Sequence, residues 1–356
     1  MIAADLYQAD ENTIERICAL RDEAVAHATA ASMAAWPELF ARLGPRAQAL
    51  CREDIAFHLD FLQPVLETGD LSSFTAYLGW LAQVLSSRGI PGDSLPRSLE
   101  DLEVFFAGQL GSAAAPVIAA LAAGRAALAG GLAAPAYDRP CPSPWEEAEA
   151  FGDALLDGKG RDASALFNQA LDRESSLPAA EVHVIQPALY EVGRRWQENR
   201  VSVAQEHLAT AMAQTLMARG FGRVEPAPDN GHKALFACPE GNHHSIGLRM
   251  VADAFEIAGW SVHYLGANTP VTSLTAQVAR FQPDLVGLSA SLPYQLRGLR
   301  QAVAGLRASL ADGCPRLVVG GLVFNQFPLL ARSFGADLLG ADALSASEAA
   351  NSLFAR

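Results

Sequence analysis

The sequence predicts an α plus α/β protein: helical regions first, then a flavodoxin-like doubly wound parallel sheet. Three observations predict it. From residue 234 onward, short apolar runs (ALFAC, SVHYLG, DLVGLSAS, RLVVGG) are each followed by a helical stretch at regular spacing. Strands alternating with helices close into a parallel sheet with right-handed crossovers. Before residue 223, apolar side chains recur instead at helical spacing, as in Ile55-Leu59-Leu62-Val65-Leu66. Two stretches without periodicity, 131–145 and 223–233, read as linkers between these regions.

Residues 1–130 read as one all-helical domain of five or six helices. Ile14-Ile17-Cys18-Leu20 marks an early helix, and Gly44-Pro45, Gly69-Asp70 and Gly89-Ile90-Pro91-Gly92 punctuate the series. Ser98 followed by Glu100-Asp101 reads as a helix start with acids on its first turn. The linker GLAAPAYDRPCPSPW carries four Pro. Residues 146–222 are helical again, with the stripe Val184-Ile185-Ala188-Leu189-Val192 and a helix from Val203 to Arg219. The segment 234–356 supplies four strands and a fifth near Ala336-Asp337-Leu338-Leu339. Its ligand is expected at the carboxyl ends of the strands, at the switch point.

A chain of 356 residues is long enough for two or three domains with cores of their own. Its net charge of −13, with no basic run and no recognition-helix signature, argues against direct nucleic-acid binding. Only Lys159 and Lys233 are Lys, both in loop-like contexts, which argues against a Lys Schiff base. The five Cys (Cys18, Cys51, Cys141, Cys238, Cys314) are scattered, with no CxxC pair. That argues against a disulfide framework or a Cys-type zinc site and fits a reducing compartment. No apolar run approaches the roughly 20 residues of a membrane helix, and the N-terminus lacks a signal-peptide pattern. A cytoplasmic protein without a membrane partner is the expectation.

The chemistry concentrates in the loop after the first strand, Pro239-Glu240-Gly241-Asn242-His243-His244-Ser245-Ile246-Gly247, which precedes the helix Leu248 to Ala258. An imidazole at a strand's carboxyl end, three residues before a Gly that opens a helix, suits a metal ligand. The side chain two residues earlier is placed to orient its other nitrogen, and the Gly lets backbone approach a bulky ligand. The plainer reading is an ordinary helix start. Ser289 ends the third strand with 41 residues between it and Gly247, and Gly320-Gly321 ends the fourth, 27 residues beyond Leu292.

Together these pieces resemble the cobalamin-binding family pattern DxHxxG, SxL and GG. The resemblance implies that His244 is the lower axial cobalt ligand. It implies that Ser289 contacts the displaced nucleotide tail and that Gly320 and Gly321 form the slot for it. His243, Ser245, Ile246 and Gly247 belong to the same loop, and Ser291 and Leu292 to the second motif. Two positions depart: the family Asp is Asn242, and the second motif reads SASL, so its Leu is displaced by one. Such domains follow a four-helix bundle that caps the corrin, and VIQPALYEVGRRWQENRVSVAQEHLATAMAQTLMARG resembles its second half. Trp196, nine residues, then Glu206-His207 resembles the light-sensing adenosylcobalamin repressors. There the Trp packs on the adenosyl group, with Glu and His flanking it. The alternative is a bundle with a core Trp and an exposed acid. Trp196 is expected to open a loop. The repressors carry a His after the Trp, where Gln197 stands here, leaving His183 and His207 as the bundle's other imidazoles.

In the first domain His58 shares a helical face with Ile55, Leu59 and Leu62. Phe57, Phe61, Phe74, Tyr77 and Trp80 cluster nearby, and Arg52 precedes it. An apolar-face His is ordinarily a satisfied core residue. Aromatics with a His and an Arg also suit a planar pigment bearing carboxylates. The arrangement as a whole resembles the photocobilins, in which a globin-like biliverdin-binding domain precedes a light-sensitive cobalamin unit. The resemblance implies a sensor, not an enzyme, that binds adenosylcobalamin and biliverdin. His58 and Arg52 would be bilin contacts. Light-dependent self-association or an unidentified downstream protein would be the output. The alternatives are a corrinoid methyl carrier of a methyltransferase system, or a cobalamin-binding antirepressor.

Overall fold

The computed structural model describes residues 4–132, 143–310, 314–326, 331 and 334–354. Most of the expected linker 131–145 lies outside these residues. The chain divides into two compact units, residues 1–137 and 138–356.

The first unit is entirely helical among its described residues: α1 (Ala4–Tyr7), α2 (Glu11–Ala19), α3 (Arg21–Ala35), α4 (Pro37–Leu43), α5 (Ala47–Thr68), α6 (Ser72–Ser87), α7 (Ser94–Leu110) and α8 (Ala115–Ala129). These are more and shorter helices than the sequence predicts. Asp10 caps α2 by accepting the Thr13 N–H at 2.7 Å. Leu62, Phe74, Leu78, Leu99 and Phe106 fill the core, each buried side chain contributing roughly 1.5–3 kcal/mol. A methyl on Gly124 would stand 2.7 Å from Leu78 and 2.8 Å from Phe74, so α8 packs this closely only because the position is glycine. The helix predicted to start at Ser98 begins at Ser94 instead. The apolar helical stretch Ser94–Ala129 is long enough to cross a membrane by length and composition. Its Leu99, Leu102, Phe106, Val117 and Leu121 are nonetheless core residues of this unit.

The second unit opens with a helical bundle: α9 (Glu147–Leu156), α10 (Gly160–Glu174), α11 (Leu177–Ala180), α12 (Gln186–Gln197) and α13 (Val203–Phe221). A single π-helical turn, Glu181–Ile185, makes α11 and α12 one continuous rod, so the bundle has four rods. Pro187 explains the turn. It has no N–H to donate to the His183 carbonyl, and that carbonyl accepts the Trp145 N–H instead, at 3.0 Å. The Gln186 N–H reaches back to the Glu181 carbonyl, one residue further than in an α-helix.

Five parallel strands follow: β1 (Lys233–Pro239), β2 (Ser261–Thr269), β3 (Leu285–Ser289), β4 (Arg316–Gly320) and β5 (Leu338–Gly340). They stand in the order β2-β1-β3-β4-β5, the doubly wound order expected from the sequence. Between them run α14 (Ile246–Ile257), α15 (Val271–Phe281), α16 (Leu296–Leu310), α17 (Leu322–Gln326) and, last, α18 (Ala343–Phe354). Period-two alternation sends Ala234, Phe236 and Cys238 to the face covered by α14 and α18. Leu235 and Ala237 face α15 and α16 on the other side. Met250 and Ala254 of α14 and Ala343 of α18 join the core of the bundle.

His58 is 2% exposed and fully hydrogen-bonded inside the first unit. Ser98 donates its hydroxyl hydrogen to the Leu95 carbonyl at 2.8 Å. Its oxygen is therefore left to accept from His58 Nε2 at 3.0 Å, while Nδ1 accepts from the Tyr77 hydroxyl at 2.8 Å. Burial pushes the imidazole pKa down to about 3. The folded state thus resists protonation, and stability is lost as pH falls below the ordinary His value, at up to ~1.4 kcal/mol per pH unit. We expect the stability advantage of the wild type over His58→Asn to shrink at about that rate between about pH 6.5 and pH 4. Denaturant melts followed by circular dichroism measure it, and a pH-independent difference refutes the neutral buried assignment.

Candidate functional site

The switch point falls at β1, which has β2 on one side and β3 on the other. Divergent crossovers leave a crevice at the carboxyl ends of β1 and β3, and the loop 240–245 lies there. Side-chain amides, not apolar packing, hold this loop. Gly241, at φ +84°, donates its N–H to Asn268 Oδ1 at 2.8 Å. The Asn242 N–H donates to the Pro239 carbonyl at 3.0 Å, and the Asn268 N–H to the Asn242 carbonyl at 2.9 Å. The Asn242 side chain is completely buried. Its Oδ1 accepts the His244 N–H at 2.9 Å, and its Nδ2 donates to the Ser289 carbonyl at 2.8 Å.

This corrects the expected role of Asn242. It positions the backbone of His244 and ties the loop to the end of β3; neither end of the amide engages the imidazole. A carboxylate accepts but does not donate, so Asp at this position would keep the first bond and lose the second. His243 and His244 are both exposed, and Ser245 and Ile246 half-buried. Tyr264 donates its hydroxyl to the Ser245 carbonyl at 3.1 Å. A methyl on Gly247 would meet nothing within 4 Å, so the backbone at the start of α14 is open beside His244.

Ser289 pairs in register with Gly320 across β3 and β4. It is 5% exposed, and its side chain lies against Cys238, whose thiol burial pushes up to about 12; that Cys is inert. The glycine pair has a reason of its own. A methyl on Gly320 would stand 2.7 Å from the Gly340 carbonyl oxygen. On Gly321, at φ +95°, it would stand 2.3 Å from the Ala290 oxygen and 2.7 Å from Ser289 Oγ. Close approach of protein backbone therefore demands both glycines. Ser291 and Leu292 donate their N–H groups to Gln295 Oε1 at 2.8 and 3.1 Å, and Gln295 Nε2 reaches the Gly241 carbonyl at 3.4 Å. Gln295 and Asn268, which the sequence reading passed over, thus lace the two loops together.

In the bundle, Trp196 sits half-buried in the last turn of α12 rather than opening a loop, and Gln197 beside it is buried. Glu206 and His207 lie in the first turn of α13, after a capping box formed by Ser202 and Gln205. The segment 198–202 joins the two helices, so all three residues occupy one end of the bundle. His207 Nδ1 is 2.6 Å from Glu206 Oε2, and Thr210 donates to Glu206 Oε1 at 3.0 Å. His207 is exposed, as are the apolar Val203 and Leu208 on the same turns. His183 is engaged elsewhere: it stacks on Trp145 at 4.9 Å and bonds the Ser143 carbonyl at 2.8 Å.

The remaining predicted pair, Arg52 and His58, lies in the first unit. Arg52 is exposed while His58 is buried, so they do not form one site. Phe61 and Tyr77 of the aromatic cluster stack on each other at 3.9 Å.

Residues 232–348 match the B12 binding domain, and residues 147–219 match a second B12 binding domain family. The HTH-type transcriptional repressor CarH of Myxococcus xanthus is 30% identical over 211 residues, 59% of this chain and 68% of CarH. The chain belongs to the B12-binding family. Cobalamin is therefore the ligand class of the second unit, in which both matched ranges lie. The HTH-type transcriptional repressor CarA of the same organism is 36% identical over 137 residues, 38% of this chain, which spans 44% of the length of CarA. The structure of the Methanosarcina barkeri monomethylamine corrinoid protein superposes with a TM-score of 0.51 at 17% identity, covering 58% of this chain and 98% of that one. That likeness shows the shared fold of bundle and parallel sheet.

The donor role of Asn242 is testable without any ligand. Asn242→Asp is nearly isosteric; it removes the bond to the Ser289 carbonyl and turns a buried carboxyl oxygen toward it. We expect a loss of ~1–3 kcal/mol in stability, read by chemical denaturation of the full chain near neutral pH. An unchanged midpoint refutes the tie.

Proposed function

We propose that the second unit binds adenosylcobalamin in the crevice at β1 and β3 and acts as a light sensor whose output is a change in self-association. The observation that carries the reading is His244. It is an exposed imidazole on a switch-point loop fixed by buried amides, three residues before an open helix start, inside the range that matches the B12 binding domain. The donor set fits a corrinoid: one neutral-capable imidazole, accessible backbone at Gly247, and an exposed apolar and acidic wall at one end of the bundle.

Each residue then has a task. His244 would hold the cobalt of the corrinoid, and Asn242 fixes where its backbone stands. His243, Ser245 and Ile246 complete the lower rim. Ser289, with the loop carrying Ser291 and Leu292, contacts the nucleotide tail. Gly320 and Gly321 let β4 approach β3 and β5 closely enough to shape that crevice. Trp196, Glu206 and His207 form the upper wall, with Glu206 braced by His207 and Thr210. Bound adenosylcobalamin supplies a cobalt–carbon bond that light breaks. The protein's part is to hold the adenosyl side and the tail side with different helices, so that a change at one wall shifts the balance between arrangements of the bundle.

The light-sensing part rests on Trp196, Glu206 and His207 standing together at one bundle end; a corrinoid methyl carrier has no need of that wall. We read the chain as a sensor and not an enzyme. The relatives CarA and CarH are HTH-type transcriptional repressors by name, a kinship that runs against the expectation of no nucleic-acid partner. The net charge of −13 disfavours direct contact with a phosphate backbone, so self-association is proposed as the output. The reading concerns the second unit alone; in the first unit His58 is bonded to Tyr77 and Ser98.

Reconstituting the full chain in the dark tests the reading. His244→Ala is expected to give a base-off absorption spectrum or much weaker cobalamin binding. Trp196→Ala is expected to cut the preference for adenosyl- over methylcobalamin by about tenfold, ~1.4 kcal/mol. Size-exclusion chromatography before and after green light reads the output. Equal wild-type affinity for both cobalamins, with no light-dependent change in size, favours the methyl carrier.

A further inference from the structure

Where the bundle meets the sheet half of the second unit, two acids are buried with almost nothing to satisfy them. Glu181, in the π-helical turn, and Asp253, on α14, are both 0% exposed. No hydroxyl or N–H donor among the described residues makes a hydrogen bond to either carboxyl oxygen of Glu181. The neighbours are apolar: Val182, Val184 and Ile185 on one side and Met250 and Ala254 on the other belong to one core. An ionised carboxylate left there without a partner is strongly disfavoured.

Asp253 has a cation. Arg249, one turn earlier on α14, forms an ion pair with it, and the same guanidinium lies over the rings of Phe221 at 5.7 Å and Tyr264 at 5.4 Å. Glu181 forms no ion pair or hydrogen bond of its own among the described residues, and the Asp253 carboxyl interacts with it. Two carboxyls in one dry site with a single Arg balance only if one of them carries a proton. Glu181, further from the guanidinium and fully desolvated, is the one that keeps it. Its acidity is held far below normal by burial first and by the Asp253 charge second.

We infer that Glu181 is a positioning residue: its protonated carboxyl donates to Asp253, which also receives Arg249, and this three-residue cluster seats the bundle on α14 through a shared proton. The π-helical turn is part of the device. One extra residue in the turn and the missing N–H of Pro187 rotate the rod locally, and such turns recur at functional sites. The charged and titratable groups facing the pair are Arg249 and Glu256 of α14 and Tyr264 of β2. Arg249 favours the charged form of both acids, Glu256 opposes the Asp253 charge, and none of the three hydrogen-bonds Glu181. The joint exists without a corrinoid and does not depend on the light-sensor reading.

The sign of its pH dependence is fixed. A carboxyl whose folded-state pKa is raised holds a proton that the unfolded chain has released, so stability falls as pH rises above the ordinary Glu value. Glu181→Gln keeps an N–H donor for Asp253 that never ionises. The test uses the cobalamin-free full chain, with thermal melts from about pH 6 to about pH 9 and the infrared carbonyl band of protonated carboxyls at about pH 7.5. The melting midpoint of Glu181→Gln relative to wild type is expected to climb with pH, by about 3 °C per pH unit. The wild type is expected to show a protonated-carboxyl band that Glu181→Gln lacks. A pH-independent difference between the two proteins overturns the proposal. If Glu181→Gln does not fold, the band decides alone: its absence from the wild type near pH 7.5 overturns the shared proton.

Discussion

The amide of Asn242 sets the geometry on which the rest of the crevice depends. It is buried, it donates at one end and accepts at the other, and its two partners belong to different chain segments: the His244 N–H of its own loop and the Ser289 carbonyl at the end of β3. A loop at the tip of a parallel sheet has few apolar contacts to hold it, so its conformation rests on how many backbone groups find fixed partners. Here Asn268 supplies two more and Gln295 three. Three amide side chains therefore place the exposed imidazole of His244 relative to β3. An amide suits this task better than a carboxylate because both halves of the joint need opposite hydrogen-bonding roles.

The same crevice shows why a motif and its physical cause need separating. Gly320 and Gly321 were expected to make room for a ligand. They make room for protein: the Gly340 oxygen approaches one and the Ala290 oxygen the other. The two explanations are compatible, since a crevice between β3 and β4 has to be shaped before it receives anything. Close backbone approach is nevertheless sufficient to exclude side chains at both positions. Gly247 is the contrasting case. Nothing stands near its missing side chain, so the fold alone does not require glycine there, and a ligand approaching the start of α14 is the remaining reason.

Much of this was legible because it is local. Short apolar runs alternating with helical stretches point to the doubly wound parallel sheet, and the spacing from His244 to Ser289 and to Gly320 follows from strands ending at one edge. What was not legible is tertiary. Gln295 and Asn268 look like ordinary loop amides until the chain brings Gly241 between them. His58 carried two readings from its helical face alone; Tyr77 and Ser98, 19 and 40 residues away, decide for the core. Trp196 was expected to open a loop, yet the α12 ladder runs through it to Gln197. The π-helical turn leaves only Pro187 as a trace in the sequence.

Glu181 and Asp253 are the sharpest example, 72 residues apart in sequence and invisible as a pair. Their placement also bears on how a signal crosses the second unit. The crevice loops are held by neutral amides, whose bonds do not change with charge. The contact between bundle and α14 is held by carboxyls and one guanidinium inside an apolar core, where a single proton changes the energy of the whole cluster. A rearrangement that wets this contact exposes both acids to water and removes the reason for Glu181 to keep its proton. Opening the bundle and releasing that proton are then one event, and the joint follows directly on the rigid crevice: α14 begins beside His244 and carries Arg249 and Asp253 in its first two turns.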